Sequence, residues 1–245
     1  MSDSFPPQWR PRSTVREPIF NVAPAVLGLA GAFLLIHLVR TLVLSPEADD
    51  WVVIAFSFIP LRETAEVPLA GVPGGDGARY WSVLTYAFLH GDWTHVLLNV
   101  LWMVAFGSPL AWRFGTIRFL IFSAIGAIAG ALVHLVFYPQ DMVPMVGASA
   151  AISAHMAGVS RFAFTLSGPL FPASGVAAYR APAPPLRETM RNPRVLAFVG
   201  IWFGVNLVFG LTAAGSGLVS GAVAWDAHLG GFIAGLLLFA LFDRR

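Results

Sequence analysis

The chain is 245 residues long, with 57% hydrophobic and 11% charged residues and a mean hydropathy of +0.72. That balance exceeds what a water-soluble domain carries and points to a lipid bilayer. All fifteen basic residues are arginine, and cysteine is absent, which excludes disulfides, thiolate metal sites and a cysteine nucleophile.

Residues 1–22 are polar and broken by proline, and they read as a cytoplasmic N-terminal segment. The apolar run behind them is too long for a removable leader and lacks a clear cleavage site, so it is expected to be an anchor helix. A membrane helix needs ~20 mostly apolar residues. Six runs meet that length: 23–43, 86–110, 116–138, 147–167, 195–214 and 223–242. The shorter "WVVIAFSFIP" (51–60) is expected to lie at the interface or against the bundle.

The predicted fold is an all-α membrane protein, a six-helix bundle forming one domain over 23–242, followed by a tail at 243–245. It carries an outer loop at 44–80 and a connection at 168–193, where "APAPP" and scattered arginines suggest a flexible, solvated strap. "SGLVSGAV", before the last run, reads either as a mobile cap over a site or as plain linker. An even number of spans puts both termini on one side.

Arginine placement sets that side. Arg10, Arg12, Arg16, Arg113, Arg118, Arg161, Arg180, Arg187, Arg191, Arg194, Arg244 and Arg245 fall together, whereas Arg40, Arg62 and Arg79 share the other side with the acidic first loop. The positive-inside rule therefore puts both termini in the cytoplasm and the first loop outside. The arginines attract anionic headgroups, but they form no basic stripe interleaved with aromatics, so nucleic acid is not an expected partner.

Polar residues inside apolar spans are costly and usually face a bundle interior or a cavity. His95 and Asn99 in "FLHGDWTHVLLNVLWM" are spaced i, i+4 and share one helical face. They read either as interhelical hydrogen-bonding glue or as donors converging on one point. Ser149, after Gly147 in "VGASAAISAHMAG", sits in the first turn of its span, where free N–H groups and the helix dipole favour an anion; an ordinary cap is the alternative. His228 in "WDAHLGGFIAG" starts a small-residue stripe of Ala227, Gly231 and Gly235, matched by Ala150, Ala154 and Gly158. If the stripes face each other, Ser149 and His228 come within hydrogen-bonding reach, and a serine needs such a base to act as a nucleophile. The Ser149 N–H, His95 and Asn99 would then supply donors for a developing oxyanion.

On "HGDWTHVLLN", "GASA" and "AHLGGFIAG" the chain resembles the rhomboid family of intramembrane serine proteases, over about residues 23–242. The resemblance implies a Ser149 nucleophile and a His228 base in a dyad without a third acid, with His95 and Asn99 in the oxyanion hole. It also implies Gly147 as the motif glycine and His90 as a structural histidine near the outer loop. The implied substrates are membrane-spanning proteins, cut in or near their helices. The implied location is the inner cell membrane, multi-pass, with the site open to the extracytoplasmic side, and no cofactor or metal is implied.

Two departures stand out. Ala150 replaces the glycine that usually follows the nucleophile in that family, which is expected to add a methyl at the tightest helix contact, a change small enough to absorb but able to shift the dyad distance. Trp81-Ser82 replaces a Trp-Arg pair, with Arg79 a nearby substitute.

Asp226, two residues before His228, points to a different helix face and is not expected to complete a triad. His37, His134 and His155 read as isolated histidines satisfied by neighbours or interfacial water, and no HExxH pattern supports a metalloprotease. The alternative function is a catalytically inactive relative that binds transmembrane clients.

Overall fold

The computed structural model describes residues 22–64, 69–165, 179–216 and 224–243. Among these residues the regular structure is helical, with one isolated β-bridge between Phe58 and Met145. Helix α1 (Pro24–Leu42) begins on a proline, whose missing N–H costs nothing in a first turn.

The outer loop is itself built of helices: α2 (Pro46–Phe56), α3 (Pro60–Thr64) and α4 (Ala78–Thr85). Ser45 caps α2 by accepting the Ala48 N–H. The carbonyls at the other end of α2, which lack partners within the helix, are met by side chains. Trp81 Nε1 donates to the Ala55 carbonyl at 2.8 Å and Thr85 Oγ1 to that of Phe56 at 2.8 Å, while the buried Arg62 guanidinium donates to the Ile54 and Ser57 carbonyls. Trp81 thus anchors the loop, with Ser82 Oγ 3.4 Å from Glu63. Arg79 pairs with Asp76 at 3.7 Å inside the loop. Burial pushes the Glu63 carboxyl up, against the opposing pull of Ser82, Arg62 and Arg79.

The second span runs Trp93–Phe114, as α5 (Trp93–Trp102), a π-helical turn (Met103–Gly107) and α6 (Ser108–Phe114). It starts at Trp93 rather than 86 because Asp92 caps it, accepting the His95 N–H at 2.7 Å, and Tyr86–Phe88 form a separate 3₁₀ turn. Then follow α7 (Thr116–Phe137), α8 (Ser149–Ser160), α9 (Leu186–Thr189), α10 (Pro193–Ser216) and α11 (Trp225–Phe242).

Four of these segments are long and apolar enough to cross a membrane: Pro24–Leu42, Trp93–Phe114, Thr116–Phe137 and Trp225–Phe242. The molecule is a multi-pass membrane protein. The run expected at 147–167 yields only the 12-residue α8 before the chain turns. At 1.5 Å per residue that helix rises about 18 Å, well short of the ~30 Å hydrocarbon core. Ala150 through Ser160 are all buried, so α8 is a central post wrapped by other helices. In α10, Trp202 packs edge-on against Trp102 and Phe106, and Phe203 against Phe232 of α11.

Helix α11 packs along both α7 and α8. A Cβ on Gly231 would stand 2.0 Å from the Ala150 carbonyl oxygen, and one on Gly235 would stand 2.4 Å from that of Ala154. The two stripes therefore meet backbone to backbone as expected. Gly158 departs from the pattern: its neighbours are Leu110 and Phe122, because helices crossing at an angle diverge beyond the contact.

The Ala150 methyl is also placed differently from expectation. It points at Gly130 of α7, where an added Cβ would lie 2.4 Å from it, so a glycine on a third helix accommodates it. Ala150→Gly is accordingly expected to lower stability by about 1–2 kcal/mol, from lost helix propensity and an unfilled methyl site, with turnover nearly unchanged. Melting in detergent and turnover of a reporter substrate check this; a gain in both would mean that the methyl is strained.

In the connection at 168–193 the described residues are not a free strap. From Tyr179 onward it is held, with Arg113 donating to the Tyr179 and Ala181 carbonyls at 2.7 and 2.8 Å and binding the Asp243 carboxylate with both arms at 2.7 Å. The first part of that connection and most of "SGLVSGAV" lie outside the described residues.

Candidate active site

Ser149 is the first residue of α8, and the helix is capped by Ala148, which has no side-chain hydrogen bond to offer. The Ser149 hydroxyl is not spent on capping. It lies 2.7 Å from Nε2 of His228, in the first turn of α11. The close approach at Gly231 sets this distance, because His228 stands one helical turn before it. Ser149 is half-buried and His228 is 6% exposed, so the pair sits at the edge of the bundle's interior.

His228 Nδ1 meets no hydrogen-bond partner among the described residues. Asp226 is engaged elsewhere: its Oδ2 lies 2.6 Å from Nδ1 of His134 on α7, and both residues are buried. The expectation that Asp226 faces away from His228 holds. His134 is thus paired with a carboxylate, which the sequence reading did not anticipate for it.

The chain reaches Ser149 through Gly147, whose φ of +119° disfavours any side chain. Its N–H donates to the Tyr86 carbonyl at 3.0 Å. A Cβ there would fall 2.7 Å from His95 Nε2 and 3.9 Å from Ser149 Oγ, so glycine leaves an open point between these two groups. His95 Nδ1 accepts the Gly91 N–H at 3.4 Å, which leaves the ring proton on Nε2 and makes that atom a donor facing the gap. The Ser149 N–H, in the first turn of α8, has no acceptor within the helix.

Asn99 lies one turn along α5 and is buried, with Nδ2 donating to the His95 carbonyl at 2.9 Å. One amide hydrogen is thus used within the helix and the second remains. His90 is fully buried behind His95, at 5.1 Å between ring centroids. Burial, reinforced by His95 and His37, pushes its ring down to about 3, so it is neutral at physiological pH.

Three supporting contacts lay beyond the sequence reading. Arg40 grips Asp49 with two nitrogens and donates to the His90 carbonyl at 2.9 Å, joining α1, α2 and the turn before α5. Tyr86 Oη donates to the Ala127 carbonyl at 2.7 Å, fixing the residue that holds Gly147. Phe58 and Met145 exchange backbone hydrogen bonds at 3.1 and 2.8 Å, and Leu61 N–H donates to Asp141, so the outer loop braces the segment leading into Ser149. An arginine closing one helix with an aspartate nine residues on was a readable signal for the first; the other two join residues too far apart in sequence. His37 is buried with its ring packed edge-on against Trp93, and His155 bonds Ser123 Oγ at 2.8 Å. Among the described residues no three His, Asp or Glu side chains are grouped to hold a metal ion.

Chemically, a hydroxyl 2.7 Å from an imidazole can lose its proton to that ring as it attacks a carbonyl. Donors flanking the gap above Gly147 can receive the negative charge that then forms on oxygen.

Known proteins bear on this arrangement. A family model described as Rhomboid domain matches residues 77–245, a stretch that includes Ser149, His228, His95 and Asn99. Yeast (Saccharomyces cerevisiae) Rhomboid protein 1, mitochondrial, is 29% identical over 157 residues, 64% of this chain and 40% of the relative. Human Rhomboid-related protein 3 is 37% identical over 87 residues, 34% of this chain and 21% of the relative. Rhomboid protease GlpG of Yersinia pestis is 26% identical over 170 residues, 68% of this chain and 49% of the relative. The chain spans half or less of the length of these three relatives. Because the domain match covers well over half of the sequence, the chain belongs to the rhomboid family.

Proposed function

We propose that this protein is a serine-type intramembrane endopeptidase that cuts other membrane proteins in or near their transmembrane helices. The observation that carries this reading is the 2.7 Å contact of Ser149 Oγ with His228 Nε2, beside the open point above Gly147. Ser149 Oγ attacks the scissile carbonyl carbon while His228 Nε2 takes its proton. The oxyanion is held by the Ser149 N–H, His95 Nε2–H and the remaining Asn99 amide hydrogen. Collapse of the intermediate passes the proton to the leaving amine, and water, deprotonated by the same imidazole, hydrolyses the acyl-enzyme. The relative named a rhomboid protease supports this assignment.

The test is a purified reporter carrying one transmembrane helix, co-reconstituted with the protein in liposomes. Cleavage by the native chain and none by Ser149→Ala is expected. A native chain that captures the reporter and never cuts it would establish the inactive client-binding alternative.

In the same reading the bundle has six membrane helices, with both termini in the cytoplasm of an inner cell membrane and Ser149 open to the outside. The charge distribution supports it, since Arg40 and Arg62 contact elements at the Ser149 end while Arg113 and Arg161 bind segments beyond the other end of α8. In this cysteine-free chain, Ala70→Cys is expected to react with an impermeant maleimide from outside intact cells, and Arg187→Cys only after lysis. The reverse pattern would invert the orientation.

His95 and Asn99 are assigned as charge-stabilising donors. Removing one such donor typically costs on the order of 100-fold in rate. For His95→Ala and Asn99→Ala we expect kcat to fall tenfold or more with KM and Tm little changed. Early melting with normal turnover by the folded fraction would return both residues to helix packing.

A further inference from the structure

We infer that the end of the bundle remote from Ser149 holds a binding site for a phosphate group, of the kind carried by an anionic phospholipid. Arg161 follows the last residue of α8 and is 6% exposed. Its guanidinium reaches two neutral acceptors, the Pro184 carbonyl from Nη2 at 2.9 Å and the Leu236 carbonyl from Nη1 at 3.4 Å, and it lies 5.1 Å from the Phe239 ring centroid. Among the described residues Nε is buried without a hydrogen-bond partner, and no carboxylate comes within ion-pair distance of Arg161. The carboxylate of Asp243, at the same end of α11, is held by both arms of Arg113. The Asp243 carboxylate acts on Arg161 only from beyond ion-pair distance while it is gripped by Arg113. A buried positive charge whose direct hydrogen bonds go to carbonyls is costly, so a further anion would offset it.

Arg161 also lines a cleft of about 780 Å³ together with Arg191, Arg194 and Glu188. Arg161 and Arg191 against Glu188 already leave the lining of this space with more positive than negative charge. Arginine forks match the oxygens of phosphate, with two parallel N–H donors to one anion. The cleft is larger than a phosphate ion needs, and Phe164 and Val195 give it an apolar wall where the apolar stretch of α10 begins. Those features suit a headgroup with its glycerol and the start of an acyl chain. Since α8 rises about 18 Å from Ser149 to this end, a ligand here would brace α8, α9 and α10 without touching the Ser149–His228 pair.

The test uses the full chain in neutral-detergent micelles, doped with increasing phosphatidylglycerol or phosphatidylcholine, or given inorganic phosphate against chloride at matched ionic strength. Phosphatidylglycerol is expected to raise Tm saturably, by about 5 °C near saturation, with phosphatidylcholine inert. Arg161→Gln and Arg191→Gln are expected to lose the rise. Arg118→Gln, which removes the same charge from an exposed position outside the cleft, is expected to keep it. Arg191 is exposed, so its variant carries the test should Arg161→Gln fail to fold. A rise with inorganic phosphate as well would assign the site to phosphate from any source, and a rise with phosphatidylglycerol alone would assign it to the lipid. No rise, a rise surviving both cleft variants, or an equal loss in Arg118→Gln would overturn the proposal in favour of general surface charge.

Discussion

A fluorophosphonate probe is expected to attach to Ser149 and to no other serine, and attachment is expected to vanish in His228→Ala. The chain offers a sharp internal comparison, because Ser123 and His155 form a second serine–histidine contact at 2.8 Å. Ser123 lies in the middle of α7, where backbone N–H groups are spent on the helix, and both residues are buried. Its hydroxyl proton is donated to the Phe119 carbonyl at 2.8 Å, so His155 Nε2–H donates to Ser123 and does not serve it as a base, and it has neither access nor oxyanion donors. Ser149 has all three, at the head of a helix and half-exposed. On a cleaved reporter, Ser149→Ala and His228→Ala should each lower kcat on the order of 10⁴-fold or more, with the double variant no worse, since a nucleophile and its base act as one unit. Mass spectrometry of the labelled protein locates the adduct, and an adduct on Ser123 or Ser153 would refute the site assignment.

Gly231→Ala is expected to be the most damaging one-carbon change in the bundle. Its methyl would meet the Ala150 carbonyl oxygen at 2.0 Å and the carbonyl carbon at 2.7 Å. Helix backbone cannot turn aside as a side chain can, so α8 and α11 must separate. Overpacking of this kind costs typically 1–3 kcal/mol, and the upper end is expected here. The same separation stretches the Ser149–His228 contact, so turnover by the folded protein should fall along with Tm. Gly28→Ala and Gly204→Ala, where an added Cβ meets nothing within 4 Å, serve as references and should be neutral or slightly stabilising. Native-like melting and turnover in Gly231→Ala would mean that the two helices do not touch as described.

The sequence exposed those parts of the molecule where local chemistry is expensive. His95, Asn99, Ser149 and His228 stood out because polar groups in apolar spans need a reason, and the four-residue recurrence of small side chains marked where two backbones meet. That the two stripes could face each other was readable from that periodicity; that Gly231 meets Ala150 and Gly235 meets Ala154 was not. What periodicity cannot give is the angle at which helices cross, so the turning of Gly158 toward Leu110, and of the Ala150 methyl toward Gly130, was hidden. Hydropathy also counts alanine and glycine as apolar without asking what surrounds them, and it therefore does not show that α8 is only 12 residues long and buried on all sides. Pairings such as His134 with Asp226, 92 residues apart, depend on α7 and α11 being assembled first. The α2 helix was a different failure: Ser45, Pro46 and Glu47 spell a helix start, which a search for twenty-residue runs passes over.

The two members of the Ser149–His228 pair are separated by 79 residues of chain. At synthesis rates of about 5–20 residues per second, His228 leaves the ribosome roughly 4–16 s after Ser149. Until α11 docks, Ser149 lacks the imidazole beside it and the small-residue face that Gly231 and Gly235 meet is uncovered. Arrival of α11 covers the face and supplies the imidazole in one event, since Gly231 and His228 stand one turn apart. On the proposed mechanism, a chain that has not yet docked α11 has no base beside Ser149, so activity would begin with that contact rather than grow with chain length.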